Sequence, residues 1–365
     1  MKKRQNTSDS GSKTLKKAGE TMLKENKKGN IPEITFVRAF CAIGIVIYHF
    51  LAGSRSGIEF MHNYPNGTWG AAYVTAFFVI SGVVMYRNYS HISSVGRFWY
   101  KRFKSIFPMF YIAYIFCFLE SLFKTGDPFP YGQPWCLIFS LLGIDGYVEG
   151  YVPTYYFIGE WFLGAIIIIY LIYPLLLWLF NKNTAVSAVV VLGLYIWMLY
   201  TPLFSGEMLV RNIFSCIMNF YVGMIAEKYH DKILGNKWVT LAALIYFIAA
   251  NFLAMPGNLV VVNHLYGIAV FFLLYWLGGY IMRLKAADAV FSYIAALSYP
   301  IFLAHHQIIF KVLGYQNPTS YAGTAVMFII TIVLTLMAAQ ALKVLASSVI
   351  ESKVYKKIEN KILKA

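Results

Sequence analysis

The sequence predicts an all-α fold: a polytopic integral membrane helix bundle of about ten transmembrane helices with cytoplasmic N- and C-termini. Three observations lead there. Apolar runs of roughly 20 residues, the length that crosses a bilayer core, recur along the 365-residue chain. Only 13% of residues are charged, against about a quarter in soluble domains. The positive charge is also segregated along the chain, as it is in proteins oriented by the positive-inside rule. Helices suit such a chain because lipid offers no partner to an open backbone group.

In chain order, residues 1–32 form a basic tail with nine Lys or Arg between Lys2 and Lys28. Its Lys/Ser/Gly/Asn-rich composition cannot bury a core, so it is expected to be disordered in the cytoplasm. It has no apolar signal-peptide run, so the first span is expected to act as the insertion signal. The membrane domain is expected over 33–348, with spans at 34–53, 71–87, 105–123, 160–180, 184–200, 209–227, 238–255, 259–281, 290–313 and 322–347. The third span is expected to be broken by Pro108 and preceded by a basic–aromatic loop, "RFWYKRFKSIFPMFY". A long outer loop, residues 124–159, carries nine aromatics around the short run "WCLIFSLL", too short to span and expected to be re-entrant or interfacial. Its rings, beside Asp127, Asp145 and Glu149, suit either sugar stacking or an interfacial aromatic belt. A basic cytoplasmic tail, residues 349–365, closes the chain.

With the N-terminus placed inside, only Arg55, Lys124, Arg211 and Lys311 fall at outer faces, and Arg38 lies within the first span. Topology thus accounts for the net charge of +15 without a nucleic-acid partner. Cys41, Cys117, Cys136 and Cys216 are scattered through apolar segments and read as small buried hydrophobes, with no metal-ligand spacing.

The stretch "FVRAFCAIGIVIYHF" holds the first candidate site. Arg38 and His49 are eleven residues apart, three helical turns and about 20° more, so they share one face at a rise of about 16 Å. Ionisable groups at such depth usually face a bundle interior or an aqueous cavity, because lipid exposure costs about 2.5–3.5 kcal/mol on insertion scales. In "AFFVISGVVM", Ser81-Gly82 interrupts an apolar run and allows either close helix packing or a cavity wall. Arg97, Lys101, Arg102 and Lys104 crowd the basic–aromatic loop, where they either set topology or grip a phosphate. "LSYPIFLAHHQIIF" places Ser298, Tyr299, His305 and His306 in one span. Adjacent histidines point in different directions on a helix, so the two are not expected to act together. No HExxH, carboxylate pair or GxSxG is present, and no metal site is expected.

Taken in order, these fragments resemble the acyltransferase-3 family of polytopic membrane O-acyltransferases. Arg38 and His49 match its Arg-x10-His. Phe77, Phe78, Ser81 and Gly82 match its FFxxSG element, and Lys101-Arg102, Ile106 and Pro108 its basic loop. Trp161, Leu163, Tyr170 and Pro174 look like its Trp-x-Leu…Tyr…Pro helix. "NFYVGMIAEKY" and "SYPIFLAHH" are similar to its later helices. The resemblance covers roughly residues 33–347. Ser105 stands where the family often has a second arginine, with Lys104 adjacent.

The resemblance implies an O-acyltransferase in a bacterial plasma membrane, moving an acyl group, most simply acetyl, from cytoplasmic acyl-CoA to a hydroxyl of a cell-surface or lipid-linked glycan. No permanently bound cofactor is implied; acyl-CoA is the donor substrate. Arg38, with Arg97, Lys101 and Arg102, is then expected to hold the CoA end. His49 is expected to act as general base or transient acyl carrier, with Ser81 and His305 orienting the reacting groups. Partners would be the bilayer, the glycan acceptor and proteins of a glycan-synthesis system. The alternative is a transporter or export component for a lipid-linked glycan, without acyl-transfer chemistry.

Overall fold

The computed structural model describes residues 31–364 apart from 61, 128–132, 150, 154–157, 159 and 202–207. The tail over residues 1–30, and Phe129, Tyr131, Tyr155, Tyr156 and Phe157 of the outer loop, lie outside the described residues. Among the described residues the regular structure is helical, except for a two-stranded antiparallel hairpin of β1 (Asn63–Tyr64) and β2 (Gly67–Thr68).

The helices are α1 (Pro32–Gly53), α2 (Trp69–Tyr89), α3 (Val95–Thr125), α4 (Leu137–Leu141), α5 (Asp145–Val148), α6 (Glu160–Lys182), α7 (Thr184–Tyr200), α8 (Met208–Arg211) and α9 (Ile213–Lys228). They continue with α10 (His230–Ile233), α11 (Lys237–Phe252), α12 (Leu259–Ile281), α13 (Lys285–Ala296), α14 (Ser298–Tyr315), α15 (Tyr321–Glu351) and α16 (Lys353–Lys364). Side-chain caps start many of them: Thr68 accepts from Ala71 N, Ser94 from Arg97 N and Ser320 from Gly323 N.

Every expected span meets a helix, but the count of about ten is not reached by length and apolarity. Among the described residues, six helices (α1, α2, α3, α6, α12 and α15) are long and apolar enough to cross a membrane. The bent pair α13–α14 makes a seventh, while α7, α9 and α11 have only 16 or 17 residues. The protein is a multi-pass membrane protein.

Three expectations change. The span 290–313 is not one helix: it bends by 68° between α13 and α14. Pro300 sits in the first turn of α14, where a missing N–H costs nothing, whereas in a continuous helix its ring would collide with the carbonyl of Ala296. Pro108 does not break the third span, since α3 runs unbroken from Val95 to Thr125. Its N-terminal start also converts the basic–aromatic loop into the first turns of a helix. Finally, Lys353–Lys364 is a helix rather than a plain tail, held by the Lys104–Glu359 ion pair at 2.6 Å.

The central helix is α2, packed against α1, α9 and α12. One apolar core joins α2, α3, α6 and α9; a second joins α1, α2, α11 and α12; a third joins α1, α14 and α15. Polar contacts gather the connections into two ends. At one end, Asn66 Nδ2 donates to the carbonyls of Ala250 and Leu253, Asn317 bonds Arg55 N and Gly53 O, and Lys311 pairs with Glu120. At the other, Arg87 pairs with Glu227, Asn181 Nδ2 donates to Ser90 O, and Lys104 holds α16. The four cysteines are free, and all but Cys117 are buried.

Candidate active site

A cavity of about 360 Å³ opens where α1, α2, α3, α6 and α14 converge. Its polar lining is Arg38 from α1, Ser81 from α2, Arg102 and Ser105 from α3, Tyr170 from α6, and Ser298, Tyr299 and His305 from α14. The rest is aliphatic and aromatic, including Phe77, Phe162 and Phe302. Four residues singled out from the sequence, Arg38, Ser81, Arg102 and His305, thus meet on one surface although they lie on four helices.

Local structure explains why they can meet. A Cβ on Gly82 would sit 1.9 Å from Phe220 O, and one on Gly223 would sit 2.1 Å from Val79 O. Of the pair Ser81-Gly82, the glycine therefore serves close packing of α2 on α9, and the serine is left to face the cavity. Tyr299 Oη donates to Ile106 O, tying α14 to α3 beside Pro108.

The guanidinium of Arg102 donates to Tyr89 Oη at 2.8 Å and lies 4.9 Å from the Tyr89 ring centroid and 5.8 Å from that of Tyr170. Its Nε is buried without a hydrogen-bond partner. Among the described residues, neither Arg38 nor Arg102 has a carboxylate partner. Two guanidinium groups inside a bundle without counter-charge form an anion-attracting pair, because an uncompensated buried charge is costly until an anion arrives.

At the other end of the cavity the residues are histidines. The His49 ring lies 5.3 Å from that of His305 and 4.1 Å from that of His306, and the adjacent rings are 4.4 Å apart. His49 itself does not line the cavity but packs against His305, which does. His305 and His306 were not expected to act together, yet the structure brings both rings to His49. The two adjacent rings lie side by side, 4.4 Å apart, and both pack against His49 from α1. His305 Nδ1 is 2.8 Å from Phe302 O, and since a carbonyl only accepts, that nitrogen carries the proton.

Other expected residues fall elsewhere. Arg97 and Lys101 are exposed on the first turns of α3, outside the cavity lining. Lys104 is engaged by Glu359 and lies 5.7 Å from the Tyr355 ring, so it does not stand in for the arginine that Ser105 replaces. Ser105 Oγ turns back to Arg102 O. In the outer loop, Asp145 is buried rather than presented to a sugar: its carboxylate accepts from Gly146 N at 3.0 Å and Ser140 Oγ at 3.1 Å. Burial pushes its carboxyl up to about 6, against the opposing pull of those two bonds. Glu149 stays exposed. The site adds Tyr170, Ser298, Tyr299 and His306 to the residues expected from the sequence; for Tyr170 the signals are its phenol within the apolar run "AIIIIYLIYP" and its place in the family's Trp-x-Leu…Tyr…Pro helix.

Comparison with known proteins places the chain among acyltransferases. Acyltransferase MdmB from Streptomyces mycarofaciens is 27% identical over 153 residues, 40% of this chain and 38% of that protein. This chain therefore matches well under half of that relative's length. No solved structure matches. The family described as an acyltransferase domain matches residues 31–344, a stretch that takes in Arg38, His49, Ser81, Arg102 and His305, and the chain belongs to that acyltransferase-3 family.

Proposed function

We propose that this chain transfers an acyl group, most simply acetyl, from a cytoplasmic acyl-CoA to a hydroxyl of a cell-surface or lipid-linked glycan in a bacterial plasma membrane. The observation that carries the reading is one cavity lined by two guanidinium groups, with no carboxylate partner among the described residues, and by His305, against which His49 packs. Along α1, Arg38 and His49 are about 16 Å apart. An extended pantetheine arm suits that span, with its anionic phosphates near Arg102 and Arg38 and its thioester near His305. Arg97 and Lys101, on the exposed start of α3, draw the charged nucleotide in from water.

At the histidine end, His49 takes the proton of the acceptor hydroxyl as its oxygen attacks the thioester carbonyl. A C–O bond forms, the C–S bond breaks, and the CoA thiolate leaves and recovers the proton from the imidazolium. His305 orients the reacting groups there, Ser81 lies beside Tyr170 on the guanidinium side and helps to orient the donor, and the apolar walls hold water away from the thioester. Both termini would then lie in the cytoplasm, with the Lys104–Glu359 end inside.

The test is CoA release by the purified protein from acetyl-CoA, with mass spectrometry of surface glycans from cells lacking it. Release of CoA and loss of a glycan acyl group support the reading. An unmodified glycan profile together with no CoA release returns the chain to the transporter reading.

A further inference from the structure

The geometry points to a binding site for a zinc-class divalent cation formed by His49, His305 and His306, whose occupation withdraws His49 from proton transfer. One ring nitrogen from each residue lies within 4.8 Å of the others. A tetrahedral zinc site with Zn–N bonds of about 2.0–2.1 Å needs nitrogens about 3.3 Å apart, so closure brings the nitrogens together by up to roughly 1.5 Å. The three rings come from only two elements, α1 and α14, which face each other across a shared apolar core.

Two further features favour a ligand set over ordinary core packing. The Nδ1–H of His305 is held by Phe302 O at 2.8 Å, which leaves Nε2 as the lone-pair nitrogen and fixes the ring plane. A backbone carbonyl in that position is the usual outer-shell partner of a metal-ligating histidine. The donor set is all imidazole, with no thiolate or carboxylate, and this suits zinc or copper over magnesium or calcium. Three protein ligands would leave a fourth position open.

The consequence for the reaction follows from the lone pair. An imidazole nitrogen that coordinates a cation cannot also accept the acceptor's proton. Zinc is therefore expected to inhibit transfer, in competition with the base role of His49. The competition rests on the acyl-transfer reading, whereas the binding does not.

The experiment is a zinc chloride titration of the purified protein in detergent, without a histidine tag and without acyl-CoA, followed by calorimetry. The visible spectrum of the cobalt form reports the ligand set. One cation per chain is expected. His306→Ala and His306→Gln should each weaken binding by at least the roughly 10–100-fold typical of losing an outer-shell partner, because a ligand itself is lost. His91→Ala, an exposed histidine outside the cluster, should leave binding unchanged. No saturable binding, or equal binding by both His306 variants while they keep the parent's thermal stability, overturns the site. If both variants lose stability, a cobalt spectrum of the parent lacking a three-nitrogen tetrahedral signature overturns it. Stoichiometric binding with transfer unaffected overturns the competition, and with it the base role of His49, while the site stands.

Discussion

Gly82 on α2 and Gly223 on α9 meet backbone to backbone: each would put a Cβ within about 2 Å of a carbonyl oxygen on the other helix. This contact sets the depth at which α2 lies in the bundle, and so where the neighbouring Ser81 enters the cavity. Overpacking usually costs about 1–3 kcal/mol when a side chain can yield. Here the obstacle is main chain, so Gly82→Ala is expected at or above the top of that range. Gly193→Ala, which would meet nothing within 4 Å, should be neutral or slightly stabilising. Thermal unfolding of the two purified variants checks this. Equal melting temperatures would show that α2 and α9 are not locked together here.

Arg102 and Arg97 separate cavity binding from surface attraction. Arg102→Ala removes a guanidinium that lines the cavity, and a lost charge-assisted contact is worth about 1.5–3 kcal/mol, or roughly ten- to a hundredfold in acyl-CoA affinity. Arg97→Ala removes an exposed charge and should change affinity by less than about fivefold, with the effect fading at high salt. Calorimetric titration with acetyl-CoA at two salt concentrations distinguishes them. Equal losses would move the phosphate site out of the cavity and onto the face of α3.

The bundle was legible because apolar runs of bilayer length announce themselves in composition, and because Arg38 and His49 share a face by helical arithmetic alone. What was missed needed long-range contacts or local competition. Pro300 signalled the α13–α14 bend, but the surrounding apolar run concealed it. The pairing of Lys104 with Glu359 joins residues 255 apart, beyond any local pattern. One helix considered alone separates His305 from His306, whereas packing of α14 against α1 brings both imidazoles onto His49. Asp145 looked like a sugar ligand because nothing in its flanks shows that Ser140 and Gly146 turn it inward.

Asp145 gives the outer loop a pH dependence of known sign. Its carboxyl is raised by burial from 3.8 to about 6, so between those values the folded protein binds more protons than the unfolded chain. Stability from this group is therefore greatest below about pH 4 and falls as pH rises to 6, by on the order of 2–3 kcal/mol. Asp145→Asn keeps an acceptor for Gly146 N and removes the titration. The parent-minus-variant difference in melting temperature should become more negative as pH rises from 4 to 7. A difference independent of pH would mean that the carboxyl titrates normally.

The last prediction separates chemistry from binding along α1. If His49 is the general base, His49→Ala should bind acetyl-CoA as the parent does but lose about 10²–10⁴-fold in transfer, the usual worth of a positioned proton acceptor. Arg38→Ala, at the donor end of the cavity, should lose acyl-CoA affinity as well as turnover. The mutants would then differ in kind, which a shared folding defect cannot produce, and matched melting temperatures would confirm that both are folded. His49 also packs against two other imidazoles, so His49→Gln keeps much of the volume and tests whether packing alone is at stake. A folded His49→Ala protein with full transfer would remove the base from the mechanism and leave His305, the cavity-lining member of the cluster, as the next group to examine.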